Sequence, residues 1–188
     1  ESFPKIKNYL IPDKKLHSKI KLKLNKINTK PKIGISWISK NKRIGGGKSM
    51  TLNTLLPVLK NNKATFINLQ YGDYRREIQD FKKNTGINII DLKEIDKFND
   101  FNNLAALIDS LDLFITVSNT TAHLSGAIGK ETWVMAPKND SLLYYWNTGK
   151  NFTPWYPSVK IFSKKTFWED TIKIVNSDLK LWLNKFKN

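Results

Sequence analysis

Short apolar runs alternate with amphipathic stretches along most of the chain. The apolar runs are rich in β-branched and aromatic residues, which is typical of strands buried in a sheet, and they cover residues 32–38, 64–69, 87–91, 113–117, 132–136 and 158–162. The stretches between and after them have apolar residues at helical spacing and predict helices over residues 49–61, 74–84, 100–110, 122–128 and 168–186. Alternating strands and helices predict an α/β fold with a Rossmann-like, doubly wound, mostly parallel sheet of about six strands.

A basic segment precedes the first predicted strand. Pro12 and Asp13 can begin a helix in this segment. The apolar residues that follow fall on one helical face and are Leu16, Ile20, Leu24 and Ile27. We therefore divide the chain into a lead-in or linker with a helix over residues 1–30 and one domain over residues 31–188.

Residues 111–137 form the most complete unit of this pattern. The apolar run at residues 113–117 is followed by Ser118, Asn119 and Thr120, all of which are good N-cap residues. A short helix of small and aliphatic residues then ends near Gly129, and a second buried strand stops at Pro137. The turn of such a βαβ unit lies at the carboxyl end of the sheet, where free N–H groups and the helix dipole favour a phosphate.

A glycine-rich loop follows the first predicted strand. It contains three glycines in a row before Lys48 and Ser49, but the P-loop pattern also requires a glycine five positions before Gly47, where Lys42 stands. Two interpretations stay open, a loop that wraps a diphosphate with its N–H groups and a flexible surface loop. Ser49 is expected to cap the helix over residues 49–61, which Pro57 would kink or shorten.

The charge distribution is strongly asymmetric. The formal net charge is +16, and residues 1–63 carry 16 Lys and Arg against Glu1 and Asp13, whereas residues 64–188 carry 16 against 14 acidic residues. A basic half is compatible with a nucleic-acid or anionic membrane surface. The aromatic residues are not interleaved with the lysines as single-strand binders require, which argues against a nucleic-acid partner.

Composition excludes several other classes. The chain has no cysteine, so disulfides, thiolate metal sites and thiol nucleophiles are absent. No apolar run approaches the roughly 18 residues of a membrane span, and no signal peptide is visible. Because the chain begins with Glu1, we expect it to be a fragment or a processed form, and a soluble cytoplasmic location is the default.

Five segments in a fixed order resemble a known family. They are Lys-Ile-Gly-Ile-Ser-Trp at residues 32–37, Phe-Ile-Asn-Leu-Gln-Tyr-Gly at 66–72, the run 100–108, the run 111–130, and Pro-Trp-Tyr-Pro at 154–157. Together they resemble the C-terminal half of GT-B glycosyltransferases that often follow tetratricopeptide repeats. These enzymes are relatives of the ADP-heptose lipopolysaccharide heptosyltransferases of glycosyltransferase family nine. The resemblance implies a nucleotide-sugar site at the carboxyl end of the sheet.

The resemblance assigns the turn into the predicted helix at residues 122–128 to the diphosphate. Asn119 stands where the family usually has Asp, and Thr120, Thr121 and His123 follow at the family's spacing. By similarity, the threonine hydroxyls and the N–H groups of the turn would hold the diphosphate, with His123 beside it. The alternative for His123 is a core-facing or capping histidine.

The resemblance also assigns residues in two other segments. Lys48 matches the basic residue that offsets the charge of the diphosphate, and Ser49 would be a further donor. Gln70 lies at the end of the second strand, where the family's nucleoside contacts are expected.

The implied function is that of the donor-binding half of a glycosyltransferase. Donors at a helix N-terminus and a lysine would stabilise the leaving nucleoside diphosphate, without metal or cofactor, and the general base is expected on the missing N-terminal portion. The isolated chain would then bind nucleotide and transfer nothing. Two alternatives are a degenerate, non-catalytic domain of the same fold that acts as an interaction module, which Asn119 would favour, and a basic nucleic-acid-binding domain.

Overall fold

The computed structural model describes residues 8–138, 141–146 and 149–186. Its strands are β1 (Lys32–Ser36), β2 (Thr65–Asn68), β3 (Ile89–Ile90), β4 (Leu113–Val117), β5 (Thr132–Ala136), β6 (Phe152–Thr153) and β7 (Tyr156–Ser163). Its helices are α1 (Lys14–Asn25), α2 (Gly45–Lys48), α3 (Leu56–Leu59), α4 (Arg75–Thr85), α5 (Phe101–Asp109), α6 (Thr120–Ile128) and α7 (Trp168–Leu183), and a 3₁₀ helix over Asn184–Phe186 follows α7.

The strands form one sheet in the order β3-β2-β1-β4-β5-β7-β6. All neighbouring strands are parallel except β6, which pairs antiparallel with β7. This arrangement confirms the predicted fold class, with seven strands where about six were predicted. The additional strand β6 lies in a segment that the sequence indicated as a connection, because its two residues carry too little apolar pattern to predict a strand.

Helices cover both faces of the sheet. On one face, α3 and α7 pack over Trp37 and the odd-numbered residues of β4 and β5. On the other face, α1 and α5 pack over Phe114, and α6 packs beside them over the even-numbered residues of β5. Burial on both faces is the reason that β4 and β5 read as unbroken apolar runs, and both have the predicted bounds.

Helix α1 joins this core. Ile20 and Leu24 on its predicted apolar face are buried against α5, and His17 contacts the carboxylate of Asp109 at 2.6 Å. The first seven residues of the predicted lead-in lie outside the described residues, and the division of the chain at residue 30 stays a prediction.

The predicted helix over residues 49–61 is wrong. The segment instead contains the short helix α3 among turns, and α2 ends at Lys48, just before it. Pro57 has no N–H group and fits only in the first turn of a helix, so α3 begins at Leu56. Ser49 is therefore not an N-cap but the C-terminal cap of α2.

Candidate functional site

A cavity of about 600 Å³ opens at the carboxyl ends of β1, β2 and β4. Its wall combines the loop after β1, α2, the turn after β2, the segment before α5, the turn between β4 and α6, and the connection after β5. Three lysines and three aromatic rings line it, and no Asp or Glu of the described residues does. The lining residues are Ser39, Lys40, Asn41, Lys48, Tyr71, Lys97, Phe98, Phe101, Leu104, Ser118, Asn119, Thr120, Thr121, His123 and Leu143.

The N-terminus of α6 forms one side of the cavity. Asn119 caps the helix, because its Oδ1 accepts a hydrogen bond from the N–H of Ala122 at 3.0 Å. Thr120 is exposed and Thr121 is buried, and neither backbone N–H has an acceptor among the described residues. The helix therefore presents two free donors and its positive dipole end to the cavity.

A buried hydrogen-bond chain lies beneath this side of the cavity. Asn119 Nδ2 donates to Ser36 Oγ at 2.9 Å, and Ser36 Oγ donates to Gln70 Oε1 at 3.1 Å. Gln70 Oε1 also accepts from the N–H groups of Trp37 and Ile38. The chain ties together the ends of β4, β1 and β2, so these strand ends form a rigid floor.

Gln70 itself does not line the cavity. Its side chain is committed to the ends of β1 and β2, since its Nε2 donates to the carbonyl oxygens of Ile38 and Tyr71. It borders a neighbouring cleft of about 340 Å³ instead. The structure thus places Gln70 under the floor, where it supports the site.

Lys48 ends α2 and lies at the cavity wall. Its side chain is buried with only 3% of the residue exposed, and no described group accepts a hydrogen bond from its ammonium or pairs with it. Burial without a counter-charge lowers the pKa of Lys48 from its usual 10.5. The side chain is therefore largely buried while its ammonium faces a cavity that no described carboxylate lines, and an anion in the cavity would pair with it.

Ser49 does not reach the cavity. Its hydroxyl accepts from the N–H of Ser39 at 3.0 Å and donates to the carbonyl of Gly45 at 2.7 Å. A Cβ on Gly45 would lie 2.3 Å from the carbonyl oxygen of Ser39, so only glycine fits this close approach. These contacts fold the loop after β1 back on itself and bring Lys48 to the cavity.

His123 lies one turn into α6 and lines the cavity. Its Nδ1 lies 3.2 Å from the hydroxyl of Tyr156, and the rings of Trp146 and Tyr145 lie against it with centroids 4.8 Å and 5.0 Å away. Burial is the main cause that lowers the pKa of His123 below 6.5, and the nearby charge of Lys48 adds to it. The free imidazole is therefore neutral near pH 7.

Sequence reasoning missed most of the opposite wall. Tyr71, Phe98 and Phe101 line that wall, and Phe98 and Phe101 are 63% and 51% exposed. Lys97 lies beside them and pairs with Asp91 at 2.8 Å. Phe98 and Phe101 gave no local signal, because the sequence alone does not show that these rings stay exposed beside the ends of the strands.

The described residues contain neither a metal-binding cluster nor a helix that could cross a membrane. No three His, Cys, Asp or Glu side chains of the described residues gather closely enough to hold a metal ion. None of the helices in the described ranges combines the length and apolar character that crossing a membrane requires.

One known protein is similar to this chain in sequence. Protein FlbA of Caulobacter vibrioides is 32% identical over 183 residues, which cover 96% of this chain and 30% of that protein. No protein-family model matches the chain. The chain thus corresponds to less than a third of the length of this relative.

Two solved structures share the fold. A glycosyl transferase family 9 protein from Veillonella parvula superposes with a TM-score of 0.61 and 11% identity, over 90% of this chain and 46% of that one. ADP-heptose lipopolysaccharide heptosyltransferase II of E. coli superposes with a TM-score of 0.58 and 11% identity, over 95% and 54%. The chain therefore has the glycosyltransferase-like fold of about half of each of these family 9 and heptosyltransferase structures.

Proposed function

We propose that this chain binds the nucleoside diphosphate of a nucleotide-sugar and forms the donor-binding half of a glycosyltransferase. The observation that carries the proposal is the ammonium of the largely buried Lys48, which has no partner among the described residues, at a cavity whose other side is the N-terminus of α6. The two features have independent origins in the chain and both favour an anion at the same place.

A diphosphate suits these groups better than a single carboxylate. Lys48 supplies one full positive charge, and the N–H groups and hydroxyls of Thr120 and Thr121 supply further donors without a charge. His123 adds a ring nitrogen from the next turn of the helix. A ligand with several anionic oxygens can accept from all of them at once.

The aromatic wall supports a nucleotide over inorganic phosphate. Tyr71, Phe98 and Phe101 give the cavity an apolar side away from Lys48, where a base and ribose can be covered. Planar bases stack on aromatic rings without a need for sequence-specific hydrogen bonds. A volume of about 600 Å³ is within the usual range for small-molecule sites.

The chemistry of glycosyl transfer follows from this placement. The bond between the sugar and the diphosphate breaks, and negative charge develops on the leaving oxygen. Lys48, the dipole of α6 and the donors of Thr120, Thr121 and His123 are positioned to stabilise that charge. We place the general base that deprotonates the acceptor in the rest of the protein, on an N-terminal GT-B half that tetratricopeptide repeats would precede.

A domain that binds nucleotide without taking part in transfer is the second candidate. Asn119 favours it, because the family's usual Asp is replaced by a side chain whose hydrogen bonds go to Ala122 and Ser36 within the protein. The two candidates share the binding site and differ in turnover by the whole protein.

Calorimetric titration of ADP, GDP, UDP and CMP into the chain tests the proposal. We expect saturable binding of one nucleotide, weakened about tenfold or more by Lys48→Ala or His123→Ala, because each loses a hydrogen bond to a charged group. Lys60→Ala removes an exposed lysine remote from the cavity and is the matched control. Absence of binding by all four nucleotides, or equal weakening by the control, would contradict the proposal. Sugar transfer by the whole protein would separate the two candidates.

A further inference from the structure

We infer that Tyr156 is a positioning residue for His123, whose Nδ1 accepts the tyrosine hydroxyl hydrogen while its Nε2–H is directed to the diphosphate. The inference rests on the proposed function for the identity of the ligand. The orientation of the imidazole itself follows from the contacts around it.

The absence of a side chain at Gly126 of α6 allows Tyr156 to approach His123. Gly126 lies three residues after His123, on the same face of the helix. A Cβ on Gly126 would lie 2.5 Å from Cγ of Tyr156 and 2.9 Å from its Cβ, so the tyrosine packs into the space that this glycine leaves open. From there its hydroxyl reaches Nδ1 of His123 at 3.2 Å. Tyr156 therefore packs at a defined position on α6, the helix that carries His123.

The direction of the hydrogen bond follows from what each group can donate. A tyrosine hydroxyl can donate or accept, and burial raises the pKa of Tyr156, so the hydroxyl keeps its hydrogen. Among the described residues Nδ1 of His123 is the acceptor within reach of that hydrogen, which favours donation by Tyr156. The neutral imidazole has one donor and one acceptor nitrogen. When Nδ1 accepts from the tyrosine, the hydrogen of the ring is on Nε2.

The surroundings hold the ring in this orientation. The ring of Trp146 lies against the imidazole, and its own Nε1 is fixed by donation to Ser118 Oγ at 2.9 Å. Tyr145 meets the imidazole edge-on. No described side chain other than Tyr156 forms a hydrogen bond with the ring, so Nε2 remains available to a ligand in the cavity.

This arrangement makes His123 an uncharged donor. A histidine with its hydrogen on Nδ1 would present a lone pair to the diphosphate and repel it. The hydrogen bond from Tyr156 disfavours the Nδ1–H tautomer before the ligand binds. No binding energy is then needed to shift the ring to the Nε2–H tautomer.

Nuclear magnetic resonance of the histidine rings tests the tautomer without a ligand. The chain has two histidines, and His17→Gln assigns the signals of His123. We expect the Nε2–H tautomer in the unsubstituted chain and a mixture of both tautomers in Tyr156→Phe. The Nδ1–H tautomer in the unsubstituted chain, or an unchanged spectrum in Tyr156→Phe, would overturn the inference.

A double-mutant cycle tests the link to the ligand. Tyr156→Phe should weaken binding of the nucleotide about fivefold, the value of one ordinary hydrogen bond, and should have no further effect in His123→Ala. Tyr9→Phe is the control, because Tyr9 packs edge-on against Tyr156 and its hydroxyl has no described partner. Equal weakening in both backgrounds would show a structural role and overturn the inference. Absence of nucleotide binding would overturn the proposed function, while the ring spectra would still decide the role of Tyr156.

Discussion

Two lysines at opposite ends of β1 are equally buried and differ in their partners. Lys32 begins the strand, Lys48 lies beyond its carboxyl end, and each is 3% exposed. The ammonium of Lys32 donates to the carbonyl and side-chain oxygens of Asn28, at 2.8 Å and 3.2 Å, and to the carbonyl of Lys30. The ammonium of Lys48 has no described partner.

The difference distinguishes the amino end of the sheet from the carboxyl end, where we propose the binding site. Burial lowers the pKa of Lys32, and the carboxylate of Asp112 partly offsets this effect. Lys130, near the same end, donates to the carbonyl of Leu111 at 2.6 Å. At the amino end the ammonium groups of Lys32 and Lys130 have protein acceptors, whereas at the carboxyl end the ammonium of Lys48 has none among the described residues.

The largest effect should appear in nucleotide affinity when the two lysines are exchanged for methionine in turn. Lys48→Met should weaken binding about 30-fold, because a hydrogen bond between two charged groups is lost. Lys32→Met should leave the affinity unchanged. Calorimetric titration of both variants measures this difference, and a similar loss in the two would remove the distinction between the ends of the sheet.

For the free energy of unfolding, Lys32→Met should have the larger effect of the two substitutions. Lys32→Met should lower it by about 1–2 kcal/mol, because the oxygens of Asn28 and Lys30 lose their donor. Lys48→Met should not lower it, because no described hydrogen bond or ion pair of the ammonium is lost. Urea unfolding without ligand gives both values. Destabilisation by Lys48→Met would indicate a partner for this lysine in the free protein.

A carboxylate added at each end should act differently on binding. Asn119→Asp should weaken nucleotide binding about tenfold, because the new charge offsets Lys48 and repels the diphosphate. The free energy of unfolding should fall, because a carboxylate keeps the N-cap but cannot make the hydrogen bond that Asn119 Nδ2 donates to Ser36 Oγ. Asn28→Asp adds the same charge beside Lys32 and should leave affinity unchanged. Unaltered affinity in Asn119→Asp would contradict an anion site at this turn.

The smallest effect concerns pH. The pKa of His123 is lowered in the free protein, and a bound diphosphate would raise it, so binding takes up a proton. Affinity for a nucleotide-sugar, whose diphosphate keeps its charge, should therefore rise a few-fold from about pH 8 to about pH 5.5. Among the described residues, Lys48, Tyr145 and Tyr156 are the other titratable groups around the ring. His123→Ala should remove the trend, and an equal trend in that variant would assign it to another group.

The carboxyl end of the sheet also shows how far local sequence predicts structure. The strands β4 and β5 and the cap of α6 were predictable, because continuous burial and an Asn before a helix are local signals. The segment after β1 was not, because Pro57 and the close approach at Gly45 override a helical pattern of leucines. Tertiary contacts decide the secondary structure of such segments.

The candidate site likewise has one part that local sequence predicts and another part that it does not. Asn119, Thr120, Thr121 and His123 are consecutive or nearly so, and one turn presents them to the cavity. The aromatic wall comes from two other segments, and which side chains meet across a cavity depends on the order of strands in the sheet. Gln70 is the opposite case. Its position at the end of β2 fitted the pattern of a nucleoside contact, but its hydrogen bonds hold its side chain under the floor of the cavity.

The pKa of the Lys48 ammonium, measured by nuclear magnetic resonance with and without saturating nucleotide, tests the central claim most directly. The account predicts a value below 10.5 in the free protein and a rise when the diphosphate occupies the cavity, with no change for Lys32 in the same spectra. A pKa of Lys48 that stays the same when nucleotide is bound would contradict it.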